Sequence, residues 1–140
     1  MCGMGPPDPE SPRRRLRFLR THRIVRGADF QRAYKHGSRA RGDVLTVVAV
    51  ANGLDHPRLG LSVGKRIWKS AVRRNRVRRV FREAFRLRQH DLPAGFDLVL
   101  IPAVRALEPA LEATADELVR LAAKAADRHR AKREEQASNP

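Results

Sequence analysis

Residues 65–88, KRIWKSAVRRNRVRRVFREAFRLR, hold eleven Lys or Arg and a single acid, Glu83. Set at about 100° per residue, the stretch from Ala71 separates into two faces. Arg74, Arg76, Arg78, Arg79, Arg82 and Arg86 fall on one, with Asn75 at its centre; Val77, Val80, Phe81, Ala84, Phe85 and Leu87 fall on the other. No lysine stands between Ser70 and Arg88. Guanidinium forks pair bidentately with phosphate oxygens and stack on bases, which an ammonium does less well. Asn75 adds nothing to long-range attraction, but its amide can bond a backbone group or reach sugar and base edges. A merely solvated charged face would carry interspersed glutamates at i±4 to relieve repulsion. This one has Glu83 alone, so its counter-charge is expected outside the chain, on nucleic acid.

Other chemistry is weakly represented. Gly60 to Lys65 resembles a phosphate loop, but it is one residue short between the glycines, and Arg66 replaces the magnesium-binding hydroxyl. His22, His36, His56, His90 and His129 are scattered without metal spacing or a nucleophile, and surface or capping roles are expected of them. Asp91 and Asp97 flank a turn, and Glu108, Glu112, Asp116 and Glu117 read as a solvent-facing acidic helix face. No catalytic residue, protein-bound metal or cofactor is expected. Cys2, the single cysteine, excludes a disulfide framework and multi-cysteine metal sites.

The whole chain has 140 residues, 30 Lys+Arg and 15 Asp+Glu, for a formal net charge of +15. The positive charge is localised. Residues 1–90 hold 23 cations and 6 acids, net +17, whereas residues 91–140 hold 7 and 9, net −2. A polyanionic partner accounts for such confinement, because each cation set beside a phosphate releases a condensed counterion. An anionic membrane surface fits less well: the arginine-rich arm from Arg13 to Arg26 lacks apolar depth. No apolar run reaches the roughly 18 residues of a spanning helix, and Met1–Pro12 lacks the apolar block of a signal peptide. A cytoplasmic protein is expected.

The elements that must position the basic face follow from periodicity and punctuation. Residues 1–20 read as a disordered Pro/Arg-rich extension, 21–126 as one domain and 127–140 as a polar tail, fraying from Arg128. A short helix is predicted at Ala28–Lys35, with Phe30, Ala33 and Tyr34 on one face and Gly37 ending it in the left-handed conformation. Val44–Ala51 and Arg58–Val63 read as strands joined in an antiparallel hairpin through Asn52-Gly53. Ser70 is the N-cap of a helix to about Gln89. Asp97–Ile101 is a short apolar strand, and a last helix begins near Glu108-Pro109. A further strand is possible around Arg20–Val25. The order describes an α+β fold: a small single-domain sandwich of one sheet packed with helices.

The stretch Leu59–Arg66 (LGLSVGKR), the Arg74-Asn75-Arg76 triplet and the run Val77–Arg86 resemble the bacterial ribonuclease P protein component. Arg23-Ile24, Ala28–Arg32 and Tyr34–Gly37 are similar to that family's first helix region, and the likeness covers about residues 21–125. The resemblance implies a ribosomal S5 domain 2-like fold with a central mixed sheet. It also implies an RNA-binding subunit of the enzyme that removes the 5′ leader from precursor tRNA. Catalysis and magnesium then reside in the partner RNA, and the protein improves substrate affinity and metal-dependent activity. Carried over by position, Lys65, Arg66, Arg73, Arg74, Asn75, Arg76, Arg78, Arg79 and Arg82 would contact the RNA subunit. Phe30 and Tyr34 would line the cleft for the leader, where Thr46 stands at a usually aromatic position. Trp68 could serve RNA stacking or the core. From the residues alone, a structural ribosomal-type protein or RNA chaperone stays open, and so does a DNA reader, which lacks a zipper, zinc ligands or a two-helix turn motif here.

Overall fold

A computed structural model describes residues 22–24, 26–63, 70–103 and 110–138, with side chains through residue 135. The N-terminal extension, Lys65, Arg66, Trp68 and the expected helix start at Glu108-Pro109 lie outside the described residues.

The elements run α1 (Gly27–His36), β1 (Ser38–Arg41), β2 (Leu45–Ala51), β3 (Arg58–Leu61), α2 (Ala71–Arg88), a 3-10 turn (Gln89–Asp91), β4 (Phe96–Pro102) and α3 (Leu111–Ser138). One mixed sheet has the order β1-β2-β4-β3; β4 is antiparallel to β2 and parallel to β3. The expected β2–β3 hairpin therefore does not form, because β4 inserts between them. β4 carries Leu98, Val99 and Leu100 in an unbroken apolar run, all three fully buried. A strand with both faces apolar belongs in the middle of a sheet covered on both sides, and the position between β2 and β3 supplies that.

Alternate residues of the sheet serve two cores. Leu45, Val47, Leu98 and Leu100 face α2 and α3, meeting Val77, Phe81, Phe85, Leu118 and Leu121. Val48, Val50 and Val99 face α1, meeting Ala33, Ile24 and the half-buried Phe30. The apolar face of α2 is thus the inward one, although Leu87 at its margin is exposed. Arg23 bridges to Leu59, and Ile24 N–H donates to Leu59 O at 2.9 Å, so of the possible extra strand at 20–25 the described residues, 22–24, form a single bridge on the outer edge of β3.

Gly37 ends α1 in extended backbone (φ −74°, ψ 165°), not in the left-handed conformation expected of it. What it requires is closeness: a Cβ there would stand 2.7 Å from Val48 Cγ1 and 3.0 Å from Ala49 O. Its N–H still closes the helix on Ala33 O at 2.8 Å.

Four polar features depart from expectation. Asp97, expected beside a turn, is fully buried in β4. It accepts from Arg58 at 2.7 and 2.6 Å, Arg32 at 3.1 Å and Asn52 at 3.0 Å. Its hydrogen bonds are the first cause holding the Arg58 guanidinium above its usual range, against the opposing effect of burial. Glu117, expected on a solvent face, is buried and accepts the N–H groups of Asp43, Val44 and Leu45 at 2.8, 2.7 and 3.0 Å. It satisfies the backbone donors of Asp43 and Val44 in the β1–β2 connection and of Leu45 at the start of β2. His129, expected on the surface, is buried; its Nε2 accepts from Ala51 N–H at 3.3 Å and its ring stands edge-on to Phe96. The stretch from Arg128, expected to fray, continues as helix to Ser138, because Leu118, Leu121, Ala122, Ala125, Ala126 and His129 prolong one buried stripe.

Candidate nucleic-acid interface

The side chain of Ser70 caps α2, accepting from Arg73 N–H at 3.4 Å, and no acid occupies the first turn. The positive end of the helix dipole therefore coincides with Arg73, Arg74 and Arg76, a combination that costs stability in isolation and favours an anion nearby. Burial of Val77, Phe81, Ala84 and Phe85 fixes the rotation of α2 and turns this face outward. Asn75, Arg76 and Arg79 are exposed, as is Arg73; Arg74, Arg78 and Arg82 are partly covered. Asn75 is not used to hold the helix start: its Oδ1 accepts a long bond, 3.4 Å, from Arg78. Arg78 also donates to Val63 O at 3.1 Å, which sets its guanidinium against the end of the segment following β3.

Carboxylates gather toward the other end of α2. Arg86 pairs with Glu83, and Arg88 pairs with Asp116 at 2.7 Å. Arg73, Arg79 and Arg82 have no carboxylate partner among the described residues. Carboxylates thus pair with cations near the C-terminus of the helix, while Arg73, Arg79 and Arg82 are left without one among the described residues.

Arg78 and Arg82 share a groove with α1. With Arg23, Ile24, Phe30, Leu59 and Leu61 they line a groove of about 220 Å³, cationic along one wall and apolar along the other. Gly60 makes the apolar wall possible: a Cβ there would come within 2.8 Å of the Phe30 ring and 2.9 Å of Ile24. Phe30 is therefore both groove wall and core margin. Tyr34, one turn on and 40% exposed, is not among this groove's lining residues. Thr46 lines a second opening of about 450 Å³ with Arg39, Arg41 and Ile101. Thr46 and Ile101 are register partners, and Arg41 lies opposite Thr46 on β1.

Sequence reasoning missed Arg39 and Arg41, because β1 has one buried residue, Ala40, and reads as a polar loop. The alternation Ser38-Arg39-Ala40-Arg41 was the available signal. Among the described residues no cluster of three His, Cys, Asp or Glu could hold a metal ion, and no helix is long and apolar enough to cross a membrane.

The family model for ribonuclease P matches residues 18–126, which include α1, the whole sheet, α2 and the first part of α3. The chain belongs to the ribonuclease P protein family. It is similar to the ribonuclease P protein component of Photobacterium profundum, 41% identical over 107 residues that cover 76% of this chain and 86% of that one. A Haemophilus influenzae component is 42% identical over 87 residues, covering 62% and 72%. Among solved structures, the RNase P protein from Thermotoga maritima superposes with a TM-score of 0.64 at 31% identity, covering 71% of this chain and 94% of that one. The Staphylococcus aureus RNase P protein gives 0.61 at 32%, covering 71% and 91%. The mixed four-stranded sheet with three helices is the α+β fold of these ribonuclease P proteins. Membership makes the chain a protein component of ribonuclease P, a tRNA-processing endoribonuclease.

Proposed function

We propose that this chain is the RNA-binding subunit that assists the catalytic RNA of ribonuclease P in removing the 5′ leader of precursor tRNA in the cytoplasm. The exposed face of α2, from Arg73 to Arg82, docks the RNA subunit, with Lys65 and Arg66 preceding it in the chain. The groove between α1 and α2 receives the single-stranded leader. The observation that carries this reading is that Arg78 and Arg82 belong to both surfaces. A strand entering the groove would meet guanidinium groups on one side and the Phe30 edge on the other. Bases stacked on an aromatic gain about 1–3 kcal/mol each.

The division of labour belongs to the same reading. The described residues of this face offer guanidinium groups and an amide, which bind phosphate; bond cleavage and the magnesium ions are assigned to the partner RNA. The protein lowers the electrostatic cost of bringing two polyanions together, and the demand for magnesium falls accordingly.

Reconstitution of the full chain with a bacterial catalytic RNA tests this, with precursor-tRNA cleavage scored at low magnesium. The protein should stimulate cleavage, and Phe30→Leu, which removes the ring from the groove but keeps an apolar side chain at the core margin, should weaken substrate affinity more than it weakens assembly. Absence of stimulation would point instead to a structural RNA-binding role.

A further inference from the structure

A pocket of about 490 Å³ opens between α1, the end of β2 and the late part of α3. Arg32 and His36 enter from α1, and His129, Lys132 and Arg133 from α3; no carboxylate lines it. The two sets sit at i, i+4 and i, i+3, i+4, so each presents its nitrogen-bearing side chains on one helical face. Val50 and Ala51 form an apolar floor, and Asn52-Gly53 closes one side. That turn is fixed: Asn52 Oδ1 accepts from Leu54 N–H at 2.8 Å, its amide donates to Asp97 at 3.0 Å, and Gly53 supplies a φ of 72°.

Two buried donors in this wall lack acceptors. His129 Nε2 accepts from Ala51 N–H, which leaves the ring proton on Nδ1, and Nδ1 has no partner among the described residues. Arg32 Nε is likewise buried without one, although its Nη2 bonds Asp97. Lys132 and Arg133 are exposed and have no carboxylate partner among the described residues. A pocket lined by Arg32, Lys132 and Arg133, with no carboxylate among its lining residues, is complementary to an anion.

We propose that this pocket seats the phosphate of a nucleotide, with Arg32, His36, Lys132 and Arg133 around the phosphate and the Val50-Ala51 floor against the sugar. The residues that complete it, His129 to Arg133, lie beyond the stretch 18–126 matched to the family. The buried His129 carries helix α3 past Arg128, so the same residue extends the helix and brings Lys132 and Arg133 to the site. The inference is independent of the groove between α1 and α2 and of catalytic-RNA binding, since it needs only a phosphate and the protein alone.

The full chain is titrated separately with inorganic phosphate, a 5′-mononucleotide, and a diribonucleoside with one internal phosphodiester and no terminal phosphate, while the His36 and His129 imidazole signals are followed by NMR. Saturable shifts of both signals are expected in at least one arm. Lys132→Ala/Arg133→Ala, two exposed positions that leave the helix fold intact by circular dichroism, should weaken the same titration by about tenfold or more. A response to the diester identifies a strand backbone as the source; a response confined to the other two identifies a free or terminal phosphate. No saturable shift in any arm, or equal affinity in the double variant, overturns the proposal.

Discussion

Two groups of arginines in this molecule are treated in opposite ways. Arg58 and Arg32 converge on the fully buried Asp97, with Arg58 also 3.5 Å from Asp29. Arg73, Arg79 and Arg82 on α2 point to solvent or into a groove with no carboxylate partner among the described residues. The first group is matched inside the chain and ties α1, β3 and β4 together. The second is left unmatched, in a protein with 15 excess positive charges. Charge that serves the fold is thus neutralised by the fold, and charge that serves a partner is held out for it.

The comparison breaks most visibly at Asp97. Removing one partner of a buried ion pair strands the other, which costs about 3–5 kcal/mol. Asp97→Asn should therefore lower the urea midpoint severely, whereas Arg79→Ala on the unmatched face should stay within about 0.5 kcal/mol of the parent. Equal effects in the two variants would dissolve the distinction.

Glu117 sharpens it from the acidic side. Each of its bonds to the Asp43, Val44 and Leu45 N–H groups is charge-assisted, and such bonds contribute about 1.5–3 kcal/mol apiece. Glu117→Gln keeps one oxygen as acceptor and should cost about 2 kcal/mol, read from equilibrium unfolding. The neighbouring exposed Asp116, paired with Arg88 at the surface, should cost under about 1 kcal/mol as Asp116→Asn.

The smallest effect is a pH dependence. Burial, and then the charges of Arg133 and Lys132, hold the His129 imidazole below its ordinary pKa. The unfolded chain then binds a proton more readily than the folded one below the ordinary histidine pKa of 6.5. Stability from this group is complete above that ordinary value and declines as pH falls through the window down to the depressed folded value. His22 moves in the same direction, with burial first and then His56 and His90 as causes. Unfolding midpoints at about pH 7.5 and about pH 5.5, on either side of the ordinary histidine pKa, should differ less in His129→Gln than in the parent. An identical difference would remove His129 from the account.

Much of this was legible in the residue order, and the failures have physical causes. The basic and apolar faces of α2 follow from period alone, and Ser70 is a cap of the type the position demands. β2 and β4 announce themselves by β-branched and aliphatic runs. Their pairing does not, since nothing local tells Val50 that its neighbour will be Asp97 from a distant strand rather than a residue of β3. Asp97 and Glu117 look like surface acids because their partners, Arg58 and the backbone of residues 43–45, come from distant segments. Gly37 looks like a left-handed cap because a sequence shows conformational preference but not the approach of Val48. Phe30 and Tyr34 share one helix as their spacing implies, yet only Phe30 lines the groove with Arg78 and Arg82.

The central claim is that the cations left unmatched on α2 find their counter-charge on RNA. The direct measurement is the salt dependence of affinity between the full chain and a catalytic RNA, for the parent and for Arg79→Ala/Arg82→Ala. Each lost phosphate contact removes about 0.7–0.9 from the slope of log K against log salt, so the double variant should bind more weakly with a slope shallower by about 1.5. An unchanged affinity and an unchanged slope would contradict the account.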